Sequence, residues 1–160
     1  AGQLREALDA SETGGLSRFE ILQPIYNLAA REAEDKLLPL GTAKGVAMST
    51  YSPLGAGFLA GKYTPNRSNL PSGTRFHISP GHADIYFSDR NFAAVERLRE
   101  KASELGLSMV RLAMAWAMTN PDVTSVIVGA RTPDHIDNAL AAFDMGLDPT
   151  LRAEMSAWTD

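Results

Sequence analysis

Cysteine is absent from this 160-residue sequence. Its absence excludes a disulfide framework and any thiolate metal site. It also agrees with a reducing compartment, so the expected setting is the cytoplasm. No excess of positive charge is present either: 15 Lys and Arg stand against 19 Asp and Glu, a net charge of −4. A general nucleic-acid surface needs a basic face, so no nucleic-acid partner is expected, although a local anion site is compatible with this balance. No apolar run approaches the ~20 residues that span a bilayer, and the N-terminus lacks a signal-peptide pattern, so no membrane partner is expected. A starting methionine is missing too. Ala1-Gly2 opens directly into a helical pattern, which reads as part of a longer protein. What remains is an ordinary globular composition, with 44% hydrophobic and 21% charged residues, enough for one domain with a real core.

Along the chain, Leu4, Ala7 and Leu8 repeat at helical spacing up to Gly14-Gly15. Phe19–Gln23 reads as a short buried strand limited by Pro24. Glu32–Lys44 reads as a helix with a weak point at Pro39, and Val46–Tyr51 as a second strand. Residues 62–88 are polar and rich in Pro, Gly and Ser. They read as a long loop excursion, functional or mobile. Asn91–Leu105 carries one apolar face, and Ser108 caps a helix that is apolar on most sides. Val123–Val128 is a β-branched strand. Thr132-Pro133 and Asp148-Pro149 then read as paired cap and first-turn signals for two more helices. Strands separated by helices imply parallel βαβ units. Three strands are too few for a covered parallel sheet, so the expectation is a piece of a larger barrel or open sheet, or a sheet completed by another chain.

Two stretches carry the chemistry. In Val126–Ala139, VIVGARTPDHIDNA, a strand gives way to a glycine turn, an arginine and a capped helix N-terminus, a combination suited to phosphate. Gly129 permits close backbone approach, Arg131 can fork two phosphate oxygens, and His135 can donate a further bond. In Thr50–Tyr63, TYSPLGAGFLAGKY, Tyr51 at a strand end can stack on a flat heterocycle, and Lys62 suits an anion. Gln23 in QPIYN offers a donor and acceptors to a carboxamide, with Asn27 bracketing the stretch. Each has an ordinary alternative: a packed tyrosine, solvated lysine and arginine, a plain helix cap with a surface histidine, satisfied amides. His77, His82 and Asp84 share a loop with no further ligand, a weak zinc pattern. The glycine spacing misses the Rossmann fingerprint and its context.

QPIYN, TYSPLGAGFLAGKY and VIVGARTPDHI, in this order and spacing, resemble the C-terminal half of an aldo-keto reductase. The likeness runs over essentially the whole chain and lies nearest the branch that includes potassium-channel β-subunits. It implies a partial TIM (β/α)8 barrel, about strands six to eight with their helices, so that residues 1–160 form the C-terminal part of a single barrel domain. It also implies an NADP(H)-dependent oxidoreductase that reduces an aldehyde or ketone substrate by hydride transfer. By position, Gln23 would bind the nicotinamide carboxamide and Tyr51 would stack on its ring. Ser52, Leu54, Gly57 and Lys62 would line the pyrophosphate. Gly129, Ala130, Arg131 and His135 would surround the adenosine 2′-phosphate, with Asn138 a further cofactor-binding position on the following helix.

The sequence departs from the family pattern in several places. His135 stands where glutamine or arginine is usual, Asn138 and Ala139 where an acidic residue and asparagine are usual, and Ala60 where threonine or serine is frequent. The family's catalytic Asp, Tyr, Lys and His belong to earlier strands, and no catalytic residue is assigned in this chain. Tyr26 and Tyr63 are available phenols, but nothing places both a Lys and an Asp beside either one to lower its pKa. The expectation is a cofactor-binding half that is inactive alone and partners the missing N-terminal half of the barrel. The alternative is a non-catalytic NADP(H)-binding regulatory subunit or an inactive truncated fragment. Open strand edges also predict self-association.

Overall fold

The computed structural model describes residues 1–160. Ten regular elements follow one another: α1 (Gly2–Gly14), β1 (Ile21–Leu22), α2 (Ala33–Lys44), β2 (Ala47–Tyr51), α3 (Arg75–Ile78), α4 (Asp89–Glu104), α5 (Met109–Met118), β3 (Ser125–Ile127), α6 (Pro133–Met145) and α7 (Pro149–Ser156). Short 3₁₀ segments occupy Gly55–Ala60, Pro80–Ile85 and Ala157–Thr159. The three strands form one parallel sheet in the order β1-β2-β3. In its register Ile21 faces Ala47, and Tyr51 faces Ile127. No helix is long and apolar enough to cross a membrane.

The expected strand at Phe19–Gln23 shrinks to Ile21–Leu22. Pro24 has no N–H to give the ladder, yet its carbonyl accepts from Tyr51 N–H at 3.1 Å, and Tyr26 N–H reaches the Tyr51 carbonyl at 3.2 Å. The chain therefore stays registered on β2 beyond the strand proper. The caps follow sequence chemistry. Ser88 Oγ accepts from Asn91 N–H, Ser108 Oγ from Arg111 N–H, and the Asp148 carboxylate from Thr150 and Leu151 N–H. Those two backbone bonds hold the Asp148 carboxyl below the usual carboxylate range.

One face of the sheet is covered and the other is bare. Met48 and Thr50 of β2 are buried toward the helices, whereas Ile21 and Ile127 stand 63% and 43% exposed. Parallel sheets are ordinarily covered on both faces. The core lies on the helical side, around Trp116, Leu112, Leu98, Leu38 and Met48.

Residues 62–88 differ from the expected loop. They hold α3 and a 3₁₀ turn, and their rings are packed. Phe76 stacks on Tyr63 at 4.3 Å and on Tyr86 at 5.7 Å, and Phe58 stacks on Tyr86 at 5.6 Å. These aromatics follow no helical or strand period, so their clustering arises only from the way the segment folds back on Gly55–Ala60.

Tyr26 is fully buried. Its hydroxyl meets the Glu34 carboxylate, Asn120 Nδ2 at 2.8 Å and Arg152 at 2.8 Å. The Tyr63 hydroxyl donates to the Ala56 carbonyl at 3.2 Å. Burial, then the hydrogen bond to Glu34, holds the Tyr26 phenol well above its ordinary value, and burial raises Tyr86. The unfolded chain loses these two protons from about pH 10 while the native state keeps them, so the stability they contribute is present below about pH 10 and falls as pH rises toward the native values. In an alkaline titration, the phenolate absorbance of Tyr26 and Tyr86 should therefore develop together with loss of helical circular dichroism. Tyr26→Phe and Tyr86→Phe should each remove part of that coincident amplitude. Their ionisation with intact secondary structure would contradict this.

Candidate functional site

At the C-terminal ends of β2 and β3, the segments Tyr51–Lys62 and Ile127–Asn138 face each other across a cavity of about 500 Å³. Such a volume falls among small-molecule sites, roughly 300–1,000 Å³. Its β2 wall includes Tyr51, Ser52, Leu54, Gly57 and Lys62, and its β3 wall includes Gly129, Arg131, His135 and Asn138. All nine were singled out in the sequence. Two others were not brought in: Ala130 is exposed beside the cavity, and Gln23 lies in an adjoining open groove. Tyr51 lines both the cavity and that groove, so the two adjoin at the tyrosine.

The β2 wall owes its shape to unusual backbone. Ser52 and Ala56 adopt positive φ of 59° and 56°, and Gly55, Gly57 and Gly61 also lie at positive φ. A non-glycine residue held there stores about 1–2 kcal/mol and persists only where its surroundings impose it. A Cβ at Gly57 would meet nothing nearer than 3.6 Å, and one at Gly129 would meet nothing within 4 Å. At both positions, backbone is open to a ligand.

The lining favours an anion. It includes Lys62, Arg131 and His135 but no carboxylate. Neither Lys62 nor Arg131 is held in an ion pair. The N-terminal turn of the 13-residue α6 adjoins Arg131 and presents the positive end of a helix dipole. Thr132 occupies the cap position, but its side chain makes no capping bond. His135 is used instead: its Nδ1 accepts from the Arg131 backbone N–H at 3.2 Å, which leaves Nε2 as the donor. Asp134 contributes a carboxylate to this first turn without lining the cavity. Asn138 is partly committed, donating from Nδ2 to the Asp134 carbonyl at 2.8 Å.

Val110 and Met114 of α5, together with Ile127 and Val128, supply the apolar part of the lining. The α5 residues were not singled out beforehand. Their spacing of four marks one helix face, but α5 is apolar on most sides, so no sequence signal separates this face from the core. Asp84 of the weak zinc pattern pairs with Arg67, and no group of three or more His, Asp or Glu side chains is arranged to hold a metal.

Fold and site define a parallel βα protein with an anion-accepting cavity at the carboxyl ends of its strands. The chain belongs to the aldo/keto reductase family, whose family model matches residues 1–158. Among curated proteins it is 37% identical to an Arabidopsis thaliana protein described as "Probable voltage-gated potassium channel subunit beta", over 91% of this chain and 44% of that protein. It is 34% identical to a versiconal hemiacetal acetate reductase of Aspergillus parasiticus, over 84% of this chain and 38% of the relative. An Escherichia coli NADH-specific methylglyoxal reductase is 29% identical, over 98% of this chain and 46% of its own length. The chain thus spans less than half the length of these three relatives.

Proposed function

We propose that this chain is the NADP(H)-binding part of an aldo-keto reductase barrel, contributing about strands six to eight. The observation that carries the reading is the cavity itself, where Lys62, Arg131 and His135 line the walls with no carboxylate among them. An aromatic ring stands at the boundary with the groove that holds Gln23. The donor set fits a pyrophosphate and a 2′-phosphate, and Tyr51 with Gln23 fits a carboxamide-bearing ring. The cofactor, when bound, supplies a hydride for carbonyl reduction of an aldehyde or ketone in the complete barrel. The residues of this chain bind and orient it: Ser52, Leu54, Gly57 and Lys62 along the pyrophosphate, Gly129, Arg131 and His135 at the 2′-phosphate, with exposed Ala130 offering backbone and Asn138 nearest the adenine.

The bare sheet face with exposed Ile21 and Ile127 supports a barrel that the remaining strands close, bringing the proton donor; the absence of cysteine agrees with a cytoplasmic setting. By itself the chain binds nucleotide, self-associates through its open edges and does not turn over. The likeness to potassium-channel β-subunits favours a second reading, a nucleotide-binding subunit without catalysis.

Calorimetric titration with NADPH and NADH, paired with an assay of aldehyde reduction, tests the proposal. Binding without turnover is expected. Reduction at ordinary enzymatic rates would refute the dependence on the other strands, and failure to bind either nucleotide would refute the assignment. The coding sequence upstream of Ala1 separates the two readings: strands bearing Asp, Tyr, Lys and His favour the reductase.

A further inference from the structure

Asn27 is fully buried, and its side chain does not line the cavity. Its amide is nevertheless committed to the loop that does. Nδ2 donates to the Ser52 carbonyl at 2.8 Å and faces the Tyr86 hydroxyl at 3.4 Å, while Oδ1 accepts from Ala29 N–H at 3.0 Å. The Ser52 carbonyl also accepts from Gly55 N–H at 2.9 Å. Ser52 is the first of the positive-φ residues in the β2 exit, and Asn27 supports its carbonyl from the opposite side of the turn.

Tyr86 closes the arrangement from behind. It is 2% exposed and stacked between Phe58 and Phe76. A Cβ added at Gly55 would lie 2.9 Å from its ring. Its backbone is fastened as well: Asn91 Nδ2 donates to the Tyr86 carbonyl at 3.0 Å and to the Ala29 carbonyl at 3.1 Å. Three separate segments therefore meet at one point: the turn after β1, the end of the 62–88 excursion and the start of α4. Asn27 and Tyr86 meet the backbone between Ser52 and Gly55, and Asn91 fastens the Tyr86 and Ala29 carbonyls behind them. The two residues after Gly55, Ala56 and Gly57, are where that backbone opens into the cavity.

We propose that Asn27, backed by Tyr86, is the positioning residue of the nucleotide-binding loop, holding Ser52 in its left-handed conformation so that Leu54, Ala56 and Gly57 front the cavity. The inference rests on the cofactor reading above. Left-handed backbone at Ser52 and Ala56 is unfavourable alone, and a buried amide bonded to the turn carbonyl is a direct means of imposing it. Apart from Lys62, which lines the cavity, the 62–88 excursion thereby acts on the site from outside it, through the Tyr86 ring.

The test uses the whole chain with Asn27→Ala and Asn27→Asp. The aspartate keeps the size and the Ala29 contact but sets a carboxylate oxygen against the Ser52 carbonyl. Amide hydrogen exchange at Gly55 and Gly57, referenced to the core amides of α5, should accelerate by about tenfold without any nucleotide present. NADPH and NADH affinity should each fall by about tenfold, because the loop serves the part common to both. Tyr86→Phe keeps the ring and removes only the long contact to Asn27, so exchange at Gly55 should accelerate by less than in Asn27→Ala; an equal or larger acceleration would assign the positioning to the Tyr86 hydroxyl and overturn the role of Asn27. If Asn27→Ala does not fold, the isosteric aspartate carries the comparison. Variants that melt earlier yet keep wild-type affinity and wild-type exchange at Gly55 would reduce Asn27 to a core amide and overturn the inference alone. A wild-type chain that binds neither nucleotide would overturn the cofactor reading, and this inference with it.

Discussion

Arg131→Ala should weaken NADPH binding by about 10- to 100-fold while leaving NADH within about twofold, because charge-assisted hydrogen bonds contribute about 1.5–3 kcal/mol and only NADPH carries the 2′-phosphate. The Arg131 side chain lines the cavity without a carboxylate partner, so its removal breaks no ion pair. The hydrogen bond to His135 comes from the Arg131 backbone N–H, which alanine retains, and the first turn of α6 stays in place. Arg131→Lys should recover part of the loss, since a point charge replaces a two-pronged donor. Raising salt should narrow the wild-type preference, because the site is exposed and screened. Calorimetric titration with both nucleotides checks all of this. Equal losses for NADPH and NADH would remove the 2′-phosphate assignment. The comparison also addresses a contrast among the relatives, one of which is described as NADH-specific.

Much of this site was legible because it is local. Strand, glycine turn, arginine and helix start follow one another within Val126–His135, and adjacent residues cannot be far apart in space. The β2 exit is local in the same sense, and its glycines announce tight backbone. The conformation of Ser52 and Ala56 was not legible, since neither side chain favours positive φ. At Ser52 the turn carbonyl is held by Asn27, 25 residues away along the chain, and the Ala56 carbonyl is held by the Tyr63 hydroxyl. Gln23 was read as a partner for a carboxamide, and the structure seats it in the groove next to the cavity, which Tyr51 also lines, just beyond the end of β1. The 62–88 segment read as loop because it is polar and rich in Pro, Gly and Ser. Its aromatic packing has no period and could not be read from spacing. Thr132 was read as a cap, and it occupies that position, but its hydroxyl makes no capping bond and the nearby Arg131 N–H is satisfied by His135.

Glu34→Ala should be the most destabilising single substitution outside the apolar core. Glu34 accepts from Arg31 at 2.7 and 3.0 Å, from Arg152 at 3.3 Å and from Asn120 at 3.3 Å, and it bonds the Tyr26 hydroxyl. Arg152 lies over the Trp116 ring at 4.9 Å, and Trp116 stacks on Tyr26 at 5.1 Å. Arg31 extends the cluster to the C-terminus, reaching the Ser156 carbonyl and, at 2.8 Å, the Asp160 carboxylate. Removing the shared carboxylate leaves Arg152 without an anionic partner and Arg31 with only the exposed Asp160 carboxylate, each guanidinium being about one-fifth exposed. Breaking a fully buried pair costs about 3–5 kcal/mol; with this residual exposure, about 2–4 kcal/mol is expected. For a domain of this size that is a fall in Tm of about 5–15 °C. Arg152→Met should cost less, because Arg31 still balances Glu34 and the methionine retains contact with Trp116. The double variant should be less destabilised than the sum of the two, since each removes the partner of the other. Urea and thermal denaturation of the four proteins close the cycle. A coupling near zero, with Glu34→Ala costing under about 1 kcal/mol, would mean that solvent screens the cluster as it does surface pairs. The consequence reaches the nucleotide site: the cluster fastens α7 and the C-terminus to the segment that begins at Tyr26, and the next residue is Asn27.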